Sequence, residues 1–259
     1  MKIKILSDLH LEYGKHDFTY QYHGEDVLIL AGDISSASSG GRTNFEYFIE
    51  TIPNHVEIIK VAGNHTYYRG SFDRVNSEIK SIEDKYPNFH FLLDQSLTLK
   101  DVNFFGGTMY TDLQLFGNDP LVEIDVKHGI NDFEWITKND KARYRKWSVE
   151  DHKSCHEKYC FELAGWLKRT EGCKRVVISH FVPTEKAVHP QYRMSRLNPY
   201  FTSDMERFMG WEGFWVFGHT HSSYRGKIGD TELICNPKGY SRTGNSENHD
   251  FDPELIFEI

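Results

Sequence analysis

The chain has 259 residues, 39% hydrophobic and 26% charged, a balance that excludes a disordered polymer and allows a substantial buried core. A formal net charge of −8 makes it a poor electrostatic match for duplex nucleic acid, which is bound by clustered Lys and Arg. A small anionic substrate stays open, because bound dications reverse a local field.

Lys2 to Ser7 alternates and then turns apolar, and Asp26 to Ala31 and Val56 to Ala62 are apolar runs ended by Gly32 and Gly63. These read as buried strands. Helical spacing over Asn44 to Thr51 lies between the second and third, so the order predicts a parallel sheet with helical crossovers. Ser71 is placed to cap a helix running to about Lys85. Phe89 to Leu93, Leu97 to Leu99 and Val102 to Phe105 read as short strands. Asp112 to Lys153 shows no clear period and is expected to hold helix and loop over the site.

Glu157 to Arg169 reads as a helix leading into a strand over Arg175 to Ser179. Pro183, Pro190 and Pro199 break Val182 to Tyr200 into a loop. Phe214 to Phe217 is a further buried strand. Tyr224 to Ile228 and Thr231 to Cys235 form a hairpin around Gly229-Asp230, and Leu255 to Glu258 is placed to close a sheet edge. One domain over residues 1–259 is expected, with a partly helical insertion around 112–170. Cys155, Cys160, Cys173 and Cys235 form no C-x-x-C pair, so free thiols are expected. The first residues are too poor in apolar side chains for a signal peptide, and no run approaches the ~20 residues of a membrane span. A cytoplasmic protein with no membrane partner is the expectation.

Chemistry collects at the carboxyl ends of the predicted strands: Asp8 and His10, Asp33, Asn64 and His65, His180, and His219 with His221. In open α/β sheets ligands bind beyond those ends, so the five clusters are expected to share one crevice. Gly32, Gly63 and Gly218 precede polar members and permit sharp turns and close approach. Imidazole, carboxylate and amide donors without thiolate suit manganese, iron or zinc and do not suit an iron–sulfur or structural zinc site. The set is too large for one ion and natural for two sharing a carboxylate.

The ordered blocks D-x-H, G-D, G-N-H, a lone His and G-H-x-H, spanning Asp8 to His221, resemble those of calcineurin-like metallophosphoesterases. The resemblance implies a four-layer α/β/β/α sandwich, two central mixed sheets flanked by helices. It implies two divalent ions, with manganese first and iron or zinc as alternatives. Asp8, His10 and His221 would bind the first and Asn64, His180 and His219 the second, with Asp33 bridging. A metal-bridging hydroxide would attack phosphorus, and His65 would be the catalytic acid. Gly32-Asp33-Ile34-Ser35-Ser36 and Gly63-Asn64-His65-Thr66 lack the arginine and glutamate of the Ser/Thr protein phosphatase branch. The chain looks more like small bacterial or phage phosphoesterases.

The expected activity is phosphomonoesterase or phosphodiesterase action on a small or nucleotide-like phosphorylated substrate. A metal-dependent nuclease and a non-catalytic scaffold binding a protein partner are the alternatives. Charge argues against the first and the complete donor set against the second. Arg193 and Arg196, with Lys186 and His189, lie in the proline-broken loop and are candidates for holding substrate phosphate. Arg69, Arg225 and Lys238 are weaker candidates, and Tyr110, Trp135 and Tyr240 are candidates for stacking on substrate. His152, Cys155, His156 and Cys160 have helical spacing that a zinc ion would accept, but ordinary packing is the preferred reading.

Overall fold

The computed structural model describes residues 1–14, 18–140, 143–242 and 245–259. The first half runs β1 (Lys2–Leu6), β2 (Val27–Ala31), α1 (Ser39–Glu50), β3 (Glu57–Val61), α2 (Phe72–Lys85), β4 (Phe89–Phe91), β5 (Gln95–Leu99) and β6 (Val102–Gly106). Next come α3 (Pro120–Gly129), α4 (Asp132–Trp135), β7 (Thr137–Asp140), β8 (Arg143–Lys146) and α5 (Val149–Arg169). The chain continues with β9 (Lys174–Ile178), α6 (Asn198–Phe201), β10 (Gly213–Phe217), β11 (Tyr224–Ile228), β12 (Thr231–Cys235), β13 (Ser241–Arg242), β14 (Asn245–Ser246) and β15 (Ile256–Glu258).

Two large mixed sheets result. One has the order β15-β1-β2-β3-β4, and the other β11-β12-β10-β9-β6-β5. In the first, β1 to β4 are parallel and β15 closes the edge antiparallel to β1, as Lys2 pairs with Glu258. In the second, β6, β9, β10 and β12 are parallel, flanked by antiparallel β5 and β11.

The two-residue alternation of a strand explains the layering. Ile3, Ile5, Val27, Ile29, Ala31, Ile59 and Val61 form one apolar core with Val102, Phe104, Val176, Ile178, Val216 and Ile234 of the facing sheet. The alternate residues Leu28, Leu30 and Ile58 turn outward to join Phe45 and Phe48 of α1 and Ile79 of α2. Behind the second sheet, Phe105, Val177 and Trp215 belong to a core with Tyr159, Leu163 and Trp166 of α5. Strands covered on both faces are apolar at nearly every position, which is why the central ones read as continuous runs.

Two boundaries and one cap differ from the sequence expectation. Helix α1 starts at Ser39, earlier than Asn44, because Ser38 caps it by accepting from the Gly41 amide at 3.1 Å. Its first turn, Ser-Gly-Gly-Arg, carries no apolar period. Helix α5 begins at Val149, where Ser148 and Asp151 form a capping box. Its early buried positions include Asp151, His152 and His156, which hide the apolar period. Ser71 precedes α2 as expected, but its hydroxyl donates to Asn139 Oδ1 at 2.8 Å instead of capping the helix. All four cysteines are free. Among the described residues no helix is long and apolar enough to cross a membrane.

Phe104 is fully buried between the sheets. Phe104→Ala is expected to lower stability by about 3–5 kcal/mol, the usual loss for emptying a phenylalanine site in a packed core. Urea denaturation monitored by tryptophan fluorescence would measure it.

Candidate functional site

The carboxyl ends of β1, β2 and β3 in one sheet and of β9 and β10 in the other open onto a common edge. The segment after β1 supplies Asp8 and His10, that after β2 Asp33, and that after β3 Asn64 and His65. The residues after β9 and β10 supply His180 and the pair His219 and His221. Backbone bonds tie these segments together. The Asp8 amide donates to Gly32 O at 3.0 Å, the His10 amide to Asp33 O at 3.1 Å, and the Gly218 amide to His180 O at 3.1 Å.

Asp8, His10, Asp33, His219 and His221 all have positive φ, between 48° and 76°. This region costs a non-glycine residue of order 1–3 kcal/mol, and Asp, Asn and His enter it most readily. The strain turns each side chain off its strand and into the edge. Gly32 and Gly63 make the close approaches possible. A Cβ on Gly32, whose φ is +91°, would fall on the His180 ring, and one on Gly63 would fall on the Asp33 carboxylate.

The seven expected side chains meet. Donor atoms of Asp8, His10 and His221 lie within 4.8 Å of one another, as do those of Asp33, His180 and His219. Asp33 also groups with His10 and His65 within the same limit, so it stands between the two sets. His10 Nε2 and His221 Nε2 are 3.1 Å apart, and His221 Nε2 is 3.5 Å from Asp8 Oδ1. His180 Nε2 lies 3.2 Å from Asp33 Oδ2, 3.3 Å from Asn64 Oδ1 and 3.2 Å from His219 Nδ1.

Partners outside each set decide which atoms face inward. His180 Nδ1 is 3.0 Å from the carbonyl of Ala31, which can only accept, so that nitrogen carries a proton and Nε2 faces the cluster. His10 Nδ1 is 3.1 Å from Glu12 Oε1, and His221 Nδ1 is 2.7 Å from Glu247 Oε2. Both rings therefore turn Nε2 to the centre. Asn64 donates through Nδ2 to Asp132 Oδ1 at 2.9 Å, which leaves its Oδ1 facing His180.

The electrostatics follow from burial. Burial works to raise Asp8, but the bond from His221 and the charge of His180 hold it down at about 2. Burial also opposes ionisation of Asp33, yet His180 and His65 keep it well below the usual carboxylate range. For His221, burial is outweighed by Asp8 and Glu247, which lift it to about 10. Burial, with the charge of His180, pushes His219 well down. Asp33 Oδ1 and His219 Nε2 are buried without a hydrogen-bond partner. An orphaned buried acceptor typically costs about 1–3 kcal/mol, more when charged. Nitrogen and oxygen donors converging in this way fit divalent transition metals.

His65 lies at the rim. Its ring stacks on Tyr68 at 4.0 Å between centroids, and its Nε2 is 3.2 Å from the Tyr240 hydroxyl. Burial opposes charge on His65, but Asp33 and Glu12 outweigh it and raise its pKa. The Tyr240 ring also packs 4.4 Å from that of His10, so of the three stacking candidates it stands inside the site. Tyr110 is core, and Trp135 packs edge-on against Tyr68.

A cleft of about 430 Å³ opens beside the cluster, lined in part by Asp33, Asn64, His65, His219, His221 and Tyr240. Arg193 and Arg196 do not line it. Arg193 is exposed, and Arg196 pairs with Asp125 of α3 at 3.0 Å. Lys186 pairs with Glu206, and Arg225 lies 3.6 Å from Glu232, whereas His189 does line the cleft. On α5, His152 Nε2 accepts from the Thr111 amide at 3.1 Å, and His156 Nδ1 meets Tyr110 O at 3.2 Å, so both serve packing.

Sequence reasoning missed Glu12, Asp132 and Glu247. Glu12 follows His10 by two residues and extends the first block, a signal that was available. Asp132 and Glu247 carry no local pattern. Asp132 is fully buried and accepts from Asn64, from Tyr68 Oη at 2.8 Å and from Tyr200 Oη at 2.6 Å.

Similarity to known proteins extends over most of the chain. An uncharacterized protein of Acanthamoeba polyphaga mimivirus is 24% identical over 281 residues, covering 99% of this chain and 96% of that one. The crystal structure of a phosphopantetheinyl hydrolase from Mycobacterium tuberculosis superposes with a TM-score of 0.69 at 15% identity, covering 92% of this chain and 89% of that one. At that identity the likeness concerns the fold. The calcineurin-like phosphoesterase family, whose members use divalent metals in a binuclear centre, matches residues 1–223. The chain belongs to that calcineurin-like phosphoesterase family and is a metal-dependent hydrolase of phosphate esters.

Proposed function

We propose that the protein hydrolyses a small or nucleotide-like phosphomonoester or phosphodiester at a two-metal centre. Asp8, His10 and His221 hold one ion, Asn64, His180 and His219 hold the other, and Asp33 is shared. The observation that carries this reading is the convergence of inward-facing nitrogen and oxygen atoms, His180 Nε2, Asn64 Oδ1 and Asp33 Oδ2 in one set and His10 Nε2, His221 Nε2 and Asp8 Oδ1 in the other. Manganese is the first choice, with iron or zinc compatible with the same donors. When bound, the ion pair supplies an activated water and charge to neutralise phosphoryl oxygens.

The chain's own residues do the rest. Glu12 and Glu247 hold the His10 and His221 rings so that Nε2 faces inward. Asp132 turns the Asn64 amide so that oxygen, not nitrogen, points at His180. His65, kept prone to protonation by Asp33 and Glu12, stands at the cleft to hand a proton to the departing oxygen. Tyr240 and Tyr68 fix its ring.

The defining test is release of p-nitrophenol from p-nitrophenyl phosphate and from its bis ester. Manganese is expected to support it and chelator to abolish it. Undiminished turnover by metal-stripped protein would refute the reading. Asp33→Asn is expected to weaken both ions together by about tenfold or more, as losing a donor shared by two sites should. Elemental analysis after dialysis checks it, and retention of one ion at full occupancy contradicts the shared role. His65→Ala is expected to keep both ions and lose about 10²–10⁴-fold in kcat, the usual contribution of a positioned acid. A parallel fall in metal content would assign His65 to binding instead. Asp132→Ala leaves three buried donors without their acceptor and is expected to cost about 3 kcal/mol or more of stability. Thermal denaturation and metal titration of the same sample measure that loss and the loosening of Asn64.

A further inference from the structure

The cleft beside the donor cluster has two unlike ends. Its inner end carries Asp33, Asn64 and the histidines. Its outer wall carries Ile130, Val188, Tyr192 and Leu197, interspersed with Asn131, His189 and Ser195, while Phe201 packs 5.0 Å from the His219 ring. Among the described residues that line it, none is Lys or Arg, and the carboxylates are those of Asp33 and Glu247. Of the cations on the neighbouring loop, Lys186 pairs with Glu206 and Arg196 with Asp125, and Arg193 is exposed and outside the lining.

A phosphoryl group at the inner end would meet the centre proposed above. A second phosphate on the same substrate would lie along the apolar wall or beside Glu247. It would lose its hydration there without gaining a fork of donors, and burying an unpaired charge is strongly unfavourable. An alkyl or aryl group in the same place removes apolar surface from water on both partners. The volume of about 430 Å³ is that of a small-molecule site.

We propose that the substrate carries a single phosphoryl group joined to an apolar or aromatic arm, and that Leu197 and Tyr192 select this arm over one bearing a second phosphate. The inference rests on the phosphoesterase reading of the same site and narrows it to a substrate class. Both residues sit on the loop between β9 and β10. Leu197 is partly exposed and Tyr192 is 49% exposed, so each tolerates a charged replacement.

The test compares methyl phosphate, hexyl phosphate and hexane-1,6-diol bisphosphate on the manganese-loaded protein, with the p-nitrophenyl diesters of the same alcohols run alongside. The hexyl pair shares its six-carbon chain and primary alkoxide and differs in the distal phosphate. Hexyl phosphate is expected to exceed each of the others in kcat/KM by about tenfold or more, the scale of discrimination a hydrophobic pocket provides. Leu197→Arg and Tyr192→Arg are each expected to narrow the gap to the bisphosphate. Calorimetric binding of hexylphosphonate against methylphosphonate reads the same preference without turnover. Equal use of the bisphosphate, or a ratio that neither variant moves, overturns the proposal. If no ester is hydrolysed, the phosphoesterase reading fails by itself. The phosphonates then decide the cleft: tighter hexylphosphonate binding upholds the apolar arm and equal affinities refute it.

Discussion

The site depends on one electrostatic constraint: nitrogen and oxygen atoms of buried side chains point at one another with few protons among them to relieve the repulsion. His180 Nε2, Asp33 Oδ2 and Asn64 Oδ1 crowd one side, and His10 Nε2, His221 Nε2 and Asp8 Oδ1 the other. Such an arrangement is unstable by itself and persists because surrounding groups over-determine it. Ala31 O, Glu12, Glu247 and Asp132 each take the proton-bearing side of a donor and leave its lone pair facing inward. Protons borrowed by His180 and His221, both raised in pKa by neighbouring carboxylates, relieve part of the strain in the metal-free protein. Divalent ions would displace them, so binding is linked to proton release.

The fold meets this constraint by bringing two sheets together at one edge. Neither sheet alone holds both sets: the first contributes Asp8, His10, Asp33 and Asn64, and the second His180, His219 and His221. The apolar layer between the sheets, from Ile29 to Ile178, fixes their separation and hence the spacing of the donors. Backbone strain is concentrated at the same edge. Its residues are Asp and His, the types that both tolerate positive φ and present donors. Chemical and conformational requirements thus select the same side chains.

Much of this was legible in the sequence, for reasons that can be named. The central strands are covered on both faces and so read as apolar runs. The donor blocks sit at strand ends, where a carboxylate or imidazole after glycine is conspicuous. What escaped notice acts through space. Asp132 lies in a segment without period, and only its three buried donors reveal it. Glu247 lies 26 residues beyond His221 and reaches it past the intervening β11 and β12. The early turns of α1 and α5 were missed because one is rich in small polar residues and the other turns histidines inward. Arg193 and Arg196 looked suited to phosphate by chemistry alone, but Asp125 on a distant helix draws Arg196 away, a pairing no local pattern records.

The cleft divides its labour unequally along the chain. The reacting end is assembled from five strand termini that are welded together by backbone bonds and crossed glycines, where almost any exchange disturbs several partners. The outer wall owes most of its surface, from Val188 to Phe201, to a single loop between two strands. Selectivity is in that sense modular. Exchanging the stretch from Val188 to Leu197 while keeping Tyr200, which bonds Asp132, would redirect the enzyme toward new esters with its hydrolytic machinery retained, a route by which descendants of one scaffold can diverge.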